Sequence, residues 1–183
     1  MNFSQVLLVH GFKASPMLPP WIPWLLSELA KHGIRVLNPQ FPNPLQPQCP
    51  EWVEKIFETV PVSDFPKTLF IGHSLGGLAI LNALSRSAAA AAGVVFVGTP
   101  MDTTGRPIES FLGGFDCAAV SHKAGAWFFF YSKDDPCVPF EHGAYYQKKL
   151  TGALSEFTDR GHFEQERFPE LLSLILSHYE KLS

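Results

Sequence analysis

The sequence has little cysteine and no excess of basic charge. Its three cysteines form no C-x-x-C pair, whereas a disulfide framework needs an even number and a structural zinc site needs closely spaced ligands. We therefore expect neither disulfides nor a bound metal. The 14 basic and 17 acidic residues leave a net charge of −3. Because no basic stripe is present, nucleic acid is not an expected partner.

Long apolar runs are also lacking. No uninterrupted apolar segment is long enough to span a bilayer, and the first ten residues lack the charged region and apolar stretch of a signal peptide. We therefore expect a cytoplasmic protein that has no membrane partner and is a monomer or small homo-oligomer. With 183 residues, of which 46% are hydrophobic and 17% charged, the composition excludes a disordered chain and a coiled coil. The length predicts a single domain, residues 1–183.

Short apolar runs alternate with longer amphipathic stretches along the chain. This alternation predicts an α/β protein in three α/β/α layers, with a mostly parallel sheet of about six strands. The predicted strands are residues 5–9, 34–37, 67–71, 94–97, 127–131 and 155–158. The predicted helices are residues 21–31, 51–58, 75 to about 90, 141–150 and 168–182. The alanine run 88–92 is interpreted as the tail of the third helix, because alanine favours helix. The 98–123 connection is long and irregular but too short for a lid domain.

A G-x-S-x-G motif, Gly72-His73-Ser74-Leu75-Gly76, lies between a predicted strand and a predicted helix. In this pattern a sharp turn holds the serine in a strained conformation and projects its hydroxyl above the sheet. Ser74 is therefore the candidate nucleophile. The alternative is a glycine-rich turn of a nucleotide-binding fold, but no G-x-G-x-x-G or G-K-[ST] follows any predicted strand.

A serine nucleophile needs a histidine base and an acid that orients it. His162 follows a short strand and begins a loop, and it is the predicted base. His142 and His178 are expected at the surface, because they lie in predicted helices. The acid follows the 127–131 strand, where Asp134 and Asp135 are adjacent. The separation of 27 residues from His162 fits Asp135, and Asp134 is alternatively an exposed turn residue.

Two backbone N–H groups are candidates for stabilising an oxyanion. Leu75 directly follows the serine, and Phe12 lies in the loop after the first strand. His10, in the same loop, is interpreted chiefly as a hydrogen-bonding residue. Four residues near these positions are candidates for contacting the substrate. Three are apolar, and the fourth is His10: the set is His10, Met101, Phe140 and Phe163.

These residues resemble those of the α/β-hydrolase superfamily, and more narrowly the small serine hydrolases of the retinoblastoma-binding and YdeN type. The resemblance covers most of the chain. It rests on the proline-rich 39–50 loop, Gly72-His73-Ser74, Asp134-Asp135-Pro136 and Gly161-His162-Phe163. In that family the aspartate immediately before the proline is the acid, which favours Asp135. The resemblance also implies a compact α/β-hydrolase fold without a large cap.

The motifs together predict a serine hydrolase that cleaves small carboxylic or thio esters through an acyl-enzyme, with no cofactor. Three alternatives remain open from the residues alone. One is an amide or aminoacyl-ester hydrolase, another is a binding protein that retains the scaffold without turnover, and the third uses the same triad for lyase, C–C hydrolase or perhydrolase chemistry.

Overall fold

The computed structural model describes residues 2–103 and 105–179. Six strands form one sheet in the order β2-β1-β3-β4-β5-β6, and all neighbouring pairs are parallel. This confirms the predicted α/β class and the mostly parallel six-stranded sheet. The strands are β1 Gln5–Val9, β2 Arg35–Leu37, β3 Thr68–His73, β4 Gly93–Val97, β5 Trp127–Ser132 and β6 Ala153–Phe157.

Helices connect the strands and cover both faces of the sheet. They are α1 Trp21–Lys31, α2 Cys49–Thr59, α3 Leu75–Arg86, α4 Cys117–Val120, α5 Glu141–Leu150 and α6 Pro169–His178. Short 3₁₀ turns cover Val62–Lys67, Glu109–Phe111 and Ser121–Lys123. Within the described part of the chain, the connection after β4 contains only the one-turn helix α4 and the last two of these 3₁₀ turns, and no inserted lid domain. No described helix is both long and apolar enough to cross a membrane.

Successive strand residues point to opposite faces of the sheet and so supply two cores. In β4, Val94 and Phe96 pack on the side of α2, α3 and α5, whereas Val95 and Val97 pack on the side of α1 and α6. All five β4 residues are buried. Strands covered on both faces are continuously apolar rather than alternating, which explains why the apolar runs located the strands in the sequence.

The strand order places a crevice between the ends of β1 and β3. The chain leaves β1 toward β2 but leaves β3 toward β4, so the two following loops diverge. Ligands of open α/β sheets bind at such a switch point, outside the carboxyl ends of the strands. The crevice therefore lies between the 10–20 loop and the turn at Ser74.

Two helix predictions were too long. The structure ends α3 at Arg86, since Ser87 is extended and its Oγ accepts a 3.1 Å hydrogen bond from the Ala89 N–H. The N–H of Ala91 donates instead to the carbonyl of Lys123, and this tertiary pairing overrides the helix propensity of alanine. The closing helix ends at His178. Predicted positions 180–182 lie outside the described residues.

Candidate active site

Ser74 occupies a sharp turn between β3 and α3. Its φ of 52° and ψ of −121° are unusual for a residue with a side chain, and its N–H donates a 2.8 Å hydrogen bond to the carbonyl of Val97 on β4. A Cβ on Gly76 would lie 2.1 Å from the carbonyl oxygen of Val9. Glycine is therefore required where α3 begins against β1, and this close packing holds the Ser74 turn.

His162 and Asp135 meet beside this turn. Nδ1 of His162 and Oδ2 of Asp135 are 2.8 Å apart. The carboxylate is almost fully buried, with 1% exposed, and the imidazole is 12% exposed. A carboxylate oxygen accepts, so Nδ1 carries the proton and Nε2 is left able to accept one. Ser74 and His162 line the same cleft.

The two adjacent aspartates hold different partners. Asp135 Oδ1 accepts hydrogen bonds from the N–H groups of Cys137, at 2.7 Å, and Val138, at 2.9 Å. These bonds fix the carboxylate, while Oδ2 faces His162. Asp135 is thus the aspartate that the structure places against the imidazole, and Asp134 is not.

Asp134 connects the loop after β5 to the loop after β6. Its Oδ1 accepts from the Ser132 hydroxyl and from the Gly161 N–H, the latter at 3.0 Å. Hydrogen bonding from Ser132 is the main cause that lowers the pKa of this carboxyl. Asp134 is exposed, as the turn interpretation expected. Its side chain nevertheless holds the residue that precedes His162.

Gly98 was not identified from the sequence. It follows β4 with a φ of +56°, and a Cβ there would lie 3.3 Å from Asp135 Oδ2 and 3.3 Å from His162 Nδ1. A positive φ favours glycine, and the close approach adds a steric reason. No local motif marks this position, because both constraints depend on loops distant in sequence.

His73 is a second residue that sequence reasoning left without a role. It is buried, and its Nε2 lies 3.0 Å from the carbonyl oxygen of His162, to which it donates. The two rings are 4.9 Å apart. Burial, followed by repulsion from the neighbouring imidazole of His162, lowers the pKa of His73 to about 3. His73 therefore stays neutral near pH 7 and holds the backbone of His162.

The two candidate oxyanion donors lie on either side of the crevice. Leu75 is the first residue of α3, where N–H groups have no acceptor within the helix and the helix dipole is positive. Phe12 lines the cleft. The loop carrying Phe12 is held by buried His10, whose Nε2 accepts from the Phe41 N–H at 3.1 Å and whose Nδ1 donates to the Gly11 carbonyl at 3.0 Å.

The candidate substrate contacts are not brought together in the cleft around Ser74. Phe163 is fully buried in the core beside Phe168, and His10 is equally buried. Phe140 packs against the core on the α5 side, and Lys133 Nζ lies 5.3 Å from the centre of its ring. Met101 is 41% exposed on the loop after β4. None of these four residues lines the cleft at Ser74, whereas Phe12, the candidate oxyanion donor, does.

His142 is not at the surface, and that prediction was wrong. Only 4% of it is exposed, because the loop after β4 folds over the start of α5. Nδ1 of His142 accepts a 3.2 Å hydrogen bond from the Met101 N–H, and Nε2 lies 3.5 Å from Asp102 Oδ2. Burial lowers the pKa of His142, against the opposing effect of Asp102. His178, by contrast, is partly exposed.

Among the residues that the structure describes, one group of side chains could hold a metal ion. Ligand atoms of Asp135, Cys137 and His162 lie within 4.8 Å of one another. The carboxylate and the imidazole, however, already bond to each other, so an ion would have to displace that contact. The absence of a cofactor stays a prediction.

Comparisons with known proteins agree on one family. The family model "Serine hydrolase" matches residues 6–171. The candidate hydrolase YdeN of Bacillus subtilis (strain 168) is 30% identical over 187 residues, covering 97% of each chain. The serine hydrolase RBBP9 of Rattus norvegicus is 28% identical over 162 residues, covering 86% of this chain and 85% of its own.

Solved structures show the same architecture. The crystal structure of the B. subtilis ydeN gene product superposes with a TM-score of 0.86 at 28% identity, covering 96% of this chain and 98% of that one. An esterase of Pyrococcus furiosus has a TM-score of 0.70 at 16% identity, covering 96% and 82%. The compact α/β-hydrolase fold that the resemblance implies is therefore confirmed.

Proposed function

This chain belongs to the serine hydrolase family, and we propose that it hydrolyses carboxylic esters through a covalent acyl-enzyme on Ser74. The observation that carries the proposal is the 2.8 Å contact between His162 Nδ1 and buried Asp135 Oδ2, made beside a serine in a strained turn. A nucleophile, a base and an orienting acid are the parts that acyl transfer requires.

In the first step, Ser74 Oγ attacks the ester carbonyl carbon while His162 Nε2 accepts the hydroxyl proton. The buried carboxylate of Asp135 stabilises the imidazolium that forms. The N–H groups of Phe12 and Leu75 hold the developing oxyanion. When the carbon–oxygen bond to the leaving alcohol breaks, His162 returns the proton to that oxygen.

In the second step, a water molecule attacks the acyl-enzyme. His162 accepts the water proton, the new carbon–oxygen bond forms, and the bond to Ser74 Oγ breaks. The proton then returns to Ser74, and a carboxylic acid leaves. The hydrogen bond from His73 to the His162 carbonyl holds the backbone of His162. The imidazole can therefore accept and return the proton without moving its backbone.

The test is steady-state hydrolysis of a p-nitrophenyl ester by the wild type and by two serine variants. Ser74→Ala should lower kcat by roughly 10⁴- to 10⁶-fold. Ser63→Ala, at an exposed position at the opposite end of β3, should match the wild type. Wild-type rates from a folded Ser74→Ala variant would overturn the proposal.

The ester preference needs its own comparison, since the same three residues also serve amide hydrolysis. Matched p-nitrophenyl ester and p-nitroanilide substrates with the same acyl group should show a kcat/KM at least tenfold higher for the ester. A higher value for the anilide would favour the amidase alternative. Binding of both without turnover would favour the non-catalytic scaffold.

A further inference from the structure

Two arms of the cleft meet at Ser74. The first has a volume of about 480 Å³ and lies under the 11–20 loop. The second has a volume of about 630 Å³ and extends toward the loop after β4. Both are lined by five shared residues, Phe12, Lys13, Ser74, His162 and Glu164. An ester bound at Ser74 would therefore extend one side of its carbonyl into each arm.

The first arm is predominantly apolar at its outer wall. Ala14, Leu18, Pro19 and Pro20 line it. Leu18 is 49% exposed, and its neighbour Met17 is 56% exposed. Large apolar side chains at a cleft mouth gain free energy when a ligand covers them, at about 25 cal/mol per Å² of apolar surface. This arm is suited to a hydrocarbon group.

The second arm carries charge. Arg106 and the amide of Gln46 line this arm and not the first, whereas Lys13 and Glu164 line both arms. Arg106 Nη1 donates a 3.3 Å hydrogen bond to the carbonyl of Cys137, which directs the guanidinium toward the loop that bears Asp135. Because Lys13 and Glu164 have opposite charges and are shared by both arms, Arg106 is the charge that distinguishes the second arm. Arginine recognises carboxylate and phosphate oxygens in particular.

The chemistry of deacylation indicates which arm holds the acyl group and which holds the leaving alcohol. After the leaving group departs, water must reach the acyl-enzyme beside His162, from the side that the leaving group has vacated. The charged second arm admits water, whereas the apolar first arm retains the acyl group. The acyl group therefore belongs in the first arm and the leaving alcohol in the second.

Resting on the proposed ester hydrolysis, we propose that the substrate is an ester of an apolar acyl group with an alcohol that bears an anionic group. Arg106 is then a specificity-determining residue that binds the anion of the leaving group. Leu18 covers the acyl group. No bond other than the ester bond changes in this reaction, and the anionic group leaves unaltered with the alcohol.

The test compares two aryl butyrates of nearly equal size, 4-carboxyphenyl butyrate and 4-carbamoylphenyl butyrate. The wild type should have a kcat/KM about tenfold higher for the carboxylate, expressed mainly in KM. Arg106→Gln should bring that ratio close to one, and Arg106→Lys should retain most of it because the charge remains. Arg86→Gln, at the exposed end of α3, should leave the ratio unchanged.

Acyl length tests the other arm. Replacing butyrate by acetate in the carboxylate ester should lower kcat/KM for the wild type, and Leu18→Ser should reduce this difference severalfold. Equal wild-type rates for the charged and neutral esters would overturn the anion assignment. So would an Arg106→Gln variant that slows both esters equally.

Failure of this inference is distinguishable from failure of the proposed function. If neither ester turns over, the proposed hydrolysis itself is wrong for such substrates. Protection of Ser74 from a fluorophosphonate probe then gives an independent readout. The inference requires 4-hydroxybenzoate to protect better than 4-hydroxybenzamide, and equal protection would contradict it.

Discussion

Gly98 allows the loop after β4 to pack closely against His162 and Asp135, because it has no side chain. Substituting alanine introduces a Cβ 3.3 Å from atoms of both side chains and places it at a φ of +56°. The left-handed backbone costs about 1–2 kcal/mol, and the crowded side chains must shift. We expect Gly98→Ala to lower kcat roughly 10- to 100-fold, measured with a p-nitrophenyl ester.

Gly33 provides the matched control for this substitution. It also has a positive φ, +71°, but no neighbour lies within 4 Å of its added Cβ. Gly33→Ala should therefore show a similar loss of stability with an unchanged kcat. Equal activity losses in the two variants would mean that backbone strain, and not contact with His162, explains the effect at Gly98.

The buried imidazole of His73 should make stability depend on pH. Its pKa is about 3 in the folded protein and 6.5 in the reference state. Between these values the unfolded chain binds a proton that the native state does not, so stability falls as the pH falls from 6.5 to 3. Above pH 6.5 the imidazole is neutral in both states, so the proton uptake that destabilises the fold no longer occurs.

The measurement is the free energy of unfolding by urea at several pH values for the wild type and His73→Gln. Glutamine retains an N–H donor but does not titrate. The wild-type curve should be steeper between pH 6.5 and 3, by up to about 1.4 kcal/mol per pH unit. Parallel curves would show that His73 does not remain neutral in the fold.

The loops after β5 and β6 are connected through Asp134. Its carboxylate accepts from the hydroxyl of Ser132, the last residue of β5, and from the Gly161 N–H in the loop after β6. Asp134→Ala removes both bonds and should loosen His162 without removing its partner. We expect kcat to fall roughly tenfold, against about 10⁴-fold for Asp135→Asn.

Asp134→Asn is the informative control, since an amide oxygen still accepts hydrogen bonds. This variant should recover most of the lost kcat. A loss at Asp134→Ala as large as that at Asp135→Asn would contradict the assignment of the two aspartates.

The regular elements were predictable to the extent that local sequence determines them. The fully buried runs of β1 and β4 and the amphipathic α5 lie where the patterns indicate. The helix prediction for the 88–92 alanine run was wrong, because its backbone N–H groups donate hydrogen bonds to the carbonyls of Lys123 and Phe65. Those partners lie more than twenty residues away, so no local propensity reports them.

In the candidate site, too, the residues marked by local sequence were predicted and those that depend on tertiary contacts were not. Ser74 was marked by glycines that the strand-to-helix turn requires, and His162 and Asp135 by their positions after strands. Burial of His142, the lack of room for a side chain at Gly98 and the hydrogen bond from His73 all arise from segments that meet only in the folded chain. Phe163 was misplaced for the same reason, since its side chain turns into the core.

Across the whole molecule, the two cores share a single sheet, which should make unfolding cooperative. Phe96 faces one core and Val95 the other, and both are fully buried. Phe96→Ala should cost about 3–5 kcal/mol and lower the Tm by roughly 6–20 °C. Val95→Ala should lower the Tm of the same single transition by a smaller amount.

Circular dichroism and tryptophan fluorescence should follow one coincident melting curve in each variant. This measurement also tests the prediction that residues 1–183 form one domain. Two separate transitions, each sensitive to only one of the substitutions, would show that the two faces unfold independently.

The most direct test of the central claim is intact-mass labelling with a fluorophosphonate probe, which reacts with an activated serine. The wild type should gain one adduct, Ser63→Ala should gain the same adduct, and Ser74→Ala should gain none. Folded wild type that remains unlabelled, or Ser74→Ala that labels like the wild type, would contradict an activated nucleophile at Ser74.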